Sequence, residues 1–363
     1  MAEMTRRAWV ALGLILLLAL GLRLVNLGGR TLWYDEAFAV LFAEQGLDAM
    51  RAGTLEQVDG SAADVHPLLY YATLHGWMHV CGQSAAAVRL YSALVGVLSV
   101  AVIYGLARDW FGESTARAAA LIAAVATFHV QYSQEARMYA LLGLALLLTT
   151  WAYWRAWQGR RPAWWIAFGV LAGISMYVQQ LAALYLLALG LLPVLYRDGH
   201  RLARTAGGAG VALAVYLPWM VNLPEQMGKL RQYWVDRPNV LHLWLALRSF
   251  VSVNLDFSPV WWLPTFLLAA VLVVLLLYRA RWAWRVLPPG DRERTALGWT
   301  LWLALAPMLL MWVASYVLQP IFLPRALLPS ALIFYVGTGW LFTRGGMPRL
   351  IVAVVAGAWA VVA

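Results

Sequence analysis

Two adjacent carboxylates follow two aromatic residues in the run Trp33-Tyr34-Asp35-Glu36. Neighbouring acids raise each other's pKa, and on a helix successive side chains point about 100° apart. Asp35 and Glu36 can therefore serve different partners. One could take a proton from an attacking hydroxyl while the other orients it. The plainer alternative is an acidic first turn that favours the dipole of a helix over residues 36–50.

A second group is His66-Pro67-Leu68-Leu69-Tyr70-Tyr71. Pro at a first helical turn makes a rigid entry, here into an interfacial helix over residues 67–80, with His66, Tyr70 and Tyr71 as candidate cavity residues. His75 and His79 lie one turn apart and could bracket a metal, but no third ligand accompanies them at that spacing. No metal site is assigned, and a divalent cation is left open.

The third group is Ser133-Gln134-Glu135-Ala136-Arg137-Met138-Tyr139. Charges at the mouth of an apolar segment are costly unless they are paired or line an aqueous cavity. Glu135 and Arg137 can pair as a helix cap, or Arg137 can face an anion at headgroup depth, with Glu135 and Tyr139 lining the cavity. Arg89 and Arg325 are similarly isolated. A guanidinium suits a phosphate, which it can grip with two parallel hydrogen bonds.

These residues need elements to hold them, and composition says which kind. Of 363 residues, 63% are hydrophobic and 12% charged, too few charges to cover a soluble surface. The single Cys81 excludes an internal disulfide and a Cys-based metal centre. The net charge of +10 comes from short clusters scattered between apolar runs, a membrane pattern rather than a nucleic-acid face. Runs able to cross a ~30 Å hydrocarbon core recur near 8–25, 88–107, 115–132, 138–156, 163–180, 181–196, 205–221, 260–278, 297–318, 326–342 and 350–363. The first is too long for a signal-peptide core and lacks a small-residue cleavage site, so it reads as a retained span.

The expected fold is all-α: a polytopic helical membrane protein of about 10–11 transmembrane helices with outer-side interfacial helices. With the N-terminus cytoplasmic, 17 of the 27 basic residues fall inside and 11 of the 17 acids outside, as the positive-inside rule requires. Two long segments, 26–87 and 222–259, then lie outside. The first holds seven acids against two bases, a net charge of −5.

Taken in order, Trp33–Glu36, His66–Tyr71, Val88-Arg89-Leu90-Tyr91-Ser92-Ala93-Leu94, Ser133–Tyr139 and Leu323-Pro324-Arg325 resemble the membrane glycosyltransferases of the C-type fold. The resemblance is to the polyprenyl/dolichyl-phosphate-mannose protein mannosyltransferase and aminoarabinose transferase family. It implies one transmembrane glycosyltransferase domain over 1–363, with 26–87 as the catalytic loop; the soluble C-terminal domain of that family is not expected here. It implies Asp35 as base with Glu36 beside it, and Arg137 and Arg325 as ligands of the donor phosphate; Arg89, another lone outer Arg, is a third candidate ligand. The expected partners are a polyprenyl-phosphate-linked sugar, membrane lipids and an acceptor protein, lipid or glycan. The expected place is a prokaryotic plasma (inner) membrane, the active site facing outside the cytoplasm. The sequence holds no Gly-rich phosphate loop or dinucleotide fingerprint, and a lipid phosphate donor needs none. A transporter or flippase of a lipid-linked substrate is the competing class. Against it stand the absence of an internal repeat and of paired Gly/Pro-broken spans. A structural envelope subunit is the third reading, and it would leave Asp35 and Glu36 freely replaceable.

Overall fold

The computed structural model describes residues 5–55, 66–159, 161–223, 235–253 and 259–362, and every regular element among them is helical. In chain order the helices are α1 (Arg6–Leu24), α2 (Tyr34–Glu44), α3 (Leu47–Leu55), α4 (Leu69–Cys81), α5 (Ala85–Phe111), α6 (Glu113–Val125) and α7 (Thr127–Ser133). They continue with α8 (Tyr139–Trp157), α9 (Ala163–Val178), α10 (Ala182–Leu195), α11 (Gly199–Met220) and α12 (Val240–Val251). The last are α13 (Pro259–Val286), α14 (Arg292–Val317), a 3-10 turn (Pro324–Leu327), α15 (Leu328–Thr343) and α16 (Arg349–Val362).

Among the described residues, five helices are long and apolar enough to cross a membrane: Arg6–Leu24, Ala85–Phe111, Trp262–Val286, Arg292–Val317 and Pro324–Thr343. Four more are apolar but shorter: Ala163–Val178, Ala182–Leu195, Val240–Val251 and Arg349–Val361. The chain is an integral membrane protein. The run expected to span 115–132 is broken at Ala126, whose ψ of 119° leaves the helical region between α6 and α7. Alanine marks no break in an apolar pattern, so hydropathy runs straight through it.

The chain forms two compact units. One comprises residues 1–25, 96–132 and 237–363. At its core α15 is buried all round from Leu328 to Leu341, as expected of a helix with no polar face. Arg23 is fully buried here and donates to the Ala123 and Ala124 carbonyls at the C-terminal end of α6, where a cation meets the negative end of the helix dipole. Arg325, half-buried, stands on the 3-10 turn that leads into α15.

The other unit comprises 26–95 and 133–236. The helix expected over 36–50 is two helices here. Gly46, at φ +87°, takes the left-handed conformation that glycine adopts without steric cost and separates α2 from α3. Phe42 on α2 meets Tyr71 on α4 edge to face, centroids 4.9 Å apart. α8 and α9 run antiparallel: the Tyr153 ring lies 4.5 Å from that of Phe168, and Thr149 Oγ1 lies 3.3 Å from Ser175 Oγ. α9 also packs closely on α11. A methyl placed on Gly169 would stand 2.5 Å from the Gly208 carbonyl, and one on Gly173 would stand 2.7 Å from Val215. The Gly169-xxx-Gly173 spacing is the small-residue pattern that lets membrane helices approach closely.

Candidate active site

The site grows from the N-terminus of α2. Trp33 precedes the helix, and its N–H donates to Glu36 Oε2 at 3.3 Å, the return bond of a capping arrangement. Arg89, near the start of α5, meets Glu36 with two bonds: Nε to Oε1 at 2.8 Å and Nη2 to Oε2 at 2.6 Å. The Ala136 amide donates to Glu36 Oε1 at 2.9 Å. A carboxylate offers about four lone-pair positions, and all are used here.

Arg89 is equally engaged. Beyond Glu36, its Nη1 donates to the Leu27 and Arg30 carbonyls at 2.9 and 2.8 Å, and its Nη2 to Thr31 at 3.0 Å. A guanidinium has five N–H groups, and each has a protein acceptor. Glu36 and Arg89 are 1% and 2% exposed. Together they tie the strap before α2, the start of α5 and the 133–138 turn into one assembly. Burial pushes the Glu36 carboxyl up, but Arg89 and the Ala136 and Trp33 amides outweigh it and hold the group below its ordinary value. The sequence reading gives Glu36 as a helper to the base and Arg89 as a phosphate ligand; here both are engaged within the protein. Neither group has a hydrogen-bonding position left for a substrate.

Asp35 and Arg137 stand differently. Asp35, in the first turn of α2, is only half-buried. Arg137 is 5% exposed; its Nη1 donates to the Asp35 carbonyl at 3.2 Å, and its Nε has no hydrogen-bond partner. Around that cation, within electrostatic reach, are Tyr71, Tyr139, the Asp35 carboxylate and Tyr70. Tyr70 and Tyr71 are fully buried, with ring centroids 5.6 Å apart. Burial pushes the Tyr70 hydroxyl far above its usual range, so it remains a neutral donor. Tyr139 opens α8 and is 1% exposed. His66 is half-buried just ahead of Pro67, and Glu135 lies within electrostatic reach of Arg89. All of these belong to one compact unit, whereas Arg325 belongs to the other.

His75 directs Nδ1 to the Ala43 carbonyl at 2.7 Å, and the His79 ring lies 4.3 Å from that of His75. Among the described residues, no three His, Cys, Asp or Glu side chains form a group able to hold a metal. The expected second outer loop, 222–259, falls partly outside the described residues, which show α12 within it. Sequence reasoning misses the Ala136 and Trp33 amides, because a backbone donor leaves no side-chain signal. The Glu36–Arg89 pair had one available signal: an isolated Arg and an acidic doublet each lacking a local counter-charge.

Residues 65–223 match the profile of a family described as dolichyl-phosphate-mannose-protein mannosyltransferase. Over 164 residues the chain is 27% identical to YkcB of Bacillus subtilis (strain 168), a protein named as a candidate mannosyltransferase, covering 44% of this chain and 22% of that protein. ArnT from Cupriavidus metallidurans bound to undecaprenyl phosphate superposes with a TM-score of 0.69 at 20% identity, over 97% of this chain and 64% of ArnT. The oligosaccharyltransferase of Archaeoglobus fulgidus in complex with zinc and sulfate gives 0.61 at 15% identity, over 97% of this chain and 52% of that one. The chain thus spans less than two thirds of the length of these relatives. It carries the C-type membrane glycosyltransferase fold.

Proposed function

We propose that this chain is an inverting glycosyltransferase that moves a sugar from a polyprenyl phosphate to an acceptor hydroxyl, with Asp35 as general base and Arg137 as the phosphate anchor. The observation that supports it is the contrast between two buried guanidiniums. Arg89 has a protein acceptor for every N–H, whereas Arg137 keeps a buried Nε without one beside the half-exposed Asp35. A buried cation with spare donors is a place for an anion. The undecaprenyl phosphate held by ArnT is an anion of the fitting kind.

In the proposed reaction Asp35 accepts the proton of the acceptor hydroxyl as that oxygen attacks the anomeric carbon. The bond from that carbon to the phosphate oxygen breaks. The electron pair leaves with the polyprenyl phosphate, whose charge the buried Arg137 stabilises. Tyr70, Tyr71 and Tyr139 wall the same cation.

Replacing Arg137 with Ala should weaken donor use by about 2–4 kcal/mol, the range for truncating one partner of a buried charged contact. Lys should restore only part of it, because the guanidinium fork is lost. Titration of each purified variant with polyprenyl phosphate checks this. Unchanged affinity in Arg137→Ala returns the residue to holding the α2 carbonyl.

The proposed orientation puts residues 26–87 outside and the α13–α14 connection in the cytoplasm, following the Arg distribution. The native protein already carries the probe. Cys81 is exposed at the end of α4, so an impermeant maleimide should label intact cells at Cys81. The Cys81→Ala, Pro289→Cys double variant should label only after permeabilisation. The reverse result inverts the topology.

A further inference from the structure

α9 ends at Val178, and the chain extends at Gln179 (φ −161°, ψ 135°) before turning into α10. The Gln179 backbone is satisfied: its N–H donates to Ser175 at 3.2 Å, and its carbonyl accepts from Ala182 at 3.1 Å. Its side chain is not. The carboxamide belongs to a residue 1% exposed, and neither Oε1 nor Nε2 has a hydrogen-bond partner. A buried amide with both ends unmet is destabilising, because each group has given up water without a replacement. Such groups are few in native structures, and each needs a reason.

Its position supplies one. α8 and α9 are antiparallel, so the C-terminal end of α9 lies beside the N-terminal end of α8, where Arg137 and Tyr139 stand. Continuing the Tyr153–Phe168 and Thr149–Ser175 levels brings Gln179 opposite residues 142–145 of α8, about 5–9 Å along the axis from Tyr139. α9 packs against α11, α8, α10 and α4. Gln180 lies beside the Tyr216 hydroxyl of α11. Gln179 itself stands at the end of α9, the helix that packs on α8 and α4. Those two helices carry Tyr139, Tyr70 and Tyr71.

We propose that the Gln179 carboxamide recognises hydroxyl groups of the donor sugar, its oxygen accepting from one and its N–H donating to a neighbour. The inference rests on the glycosyltransferase reading above. A carboxamide offers one acceptor and two donors, and vicinal sugar hydroxyls present the complementary set. The proposal assigns Gln179 to the donor sugar rather than to the acceptor, and its 1% exposure closes it to water and bilayer alike until a ligand enters. Sites built to hydrogen-bond a substrate hydroxyl discriminate strongly against analogues lacking it, because the buried group is then left unpaired.

The test compares the purified parent chain with Gln179→Met, which keeps length and removes the hydrogen bonds. The probes are a polyprenyl-phosphate hexose, the same donor lacking one hydroxyl at a time, and bare polyprenyl phosphate. Affinity for the hexose donor should fall about 10- to 100-fold, while that for bare polyprenyl phosphate stays within about twofold. One deoxy donor should be weakened in the parent and indifferent to the substitution. Thermal stability should hold or rise, since an unmet buried amide is removed. Equal loss for sugar-bearing and bare lipid, or lower stability with unchanged sugar discrimination, overturns the inference and makes Gln179 a structural or water-binding residue. A parent that binds neither lipid overturns the glycosyltransferase reading along with it.

Discussion

Asp35→Asn should lower turnover about 10²–10⁴-fold, the usual contribution of a positioned general base, while the protein folds and binds polyprenyl phosphate as before. Asn keeps the size and shape of Asp but cannot take the acceptor proton. The half-exposed side chain lies in the first turn of α2, and the contact to Arg137 runs through the Asp35 backbone carbonyl, which the substitution leaves in place. A role confined to the helix dipole predicts the opposite signature, lowered melting temperature with near-normal rate per folded molecule, and the expected cost there is only about 0.3–1 kcal/mol. Rate and melting temperature measured on one purified sample separate the two. A stable variant within threefold of the parent rate would remove Asp35 as base.

Glu36 should behave in the opposite way to its neighbour. Removing one partner of a buried ion pair costs about 3–5 kcal/mol because the other charge is left uncompensated. Glu36→Gln places an amide N–H₂ where Arg89 and Ala136 both donate, so the main loss should be folded protein, with the surviving molecules working near the parent rate. Arg89→Met should do the same and also release the Leu27, Arg30 and Thr31 carbonyls. The pair also predicts acid sensitivity. Glu36 is held below its ordinary value near 4.5, so its stabilisation is complete above that value and is lost as pH falls through the lower folded-state value. Glu36→Gln should flatten this part of the acid limb. A Gln variant as stable as the parent with turnover reduced per folded molecule would restore Glu36 to the chemistry.

Membrane character and helical class are legible in the sequence because both depend on composition and on the length of apolar runs, which need no tertiary contact. The grouping of the 33–36, 66–71 and 133–139 segments is legible through the resemblance. What stays hidden is the division of labour inside each doublet. Adjacency says that Asp35 and Glu36 point different ways, but which one meets a cation depends on Arg89, 53 residues later. Arg89 and Arg137 likewise look alike as lone basic residues at the mouths of apolar runs. Only the local carbonyl geometry, three oxygens of the 27–31 strap around Arg89, engages one and leaves the other with a spare donor. The break at Gly46 is invisible for another reason: an amphipathic pattern continues across a residue whose φ is set by the turn.

The two kinds of adhesive in the site-bearing unit answer to different stresses. The knot of Glu36 and Arg89 is electrostatic and titrates, so acid can loosen it. The seam between α9 and α11 has no charge to screen and no proton to lose. It is held by the absence of side chains at Gly169, Gly173 and Gly208, which lets the two helices close to van der Waals contact. Salt and pH leave that seam alone, while one added methyl wedges it apart. Chemical conditions therefore act on the Glu36–Arg89 knot, and residue volume acts on the α9–α11 seam.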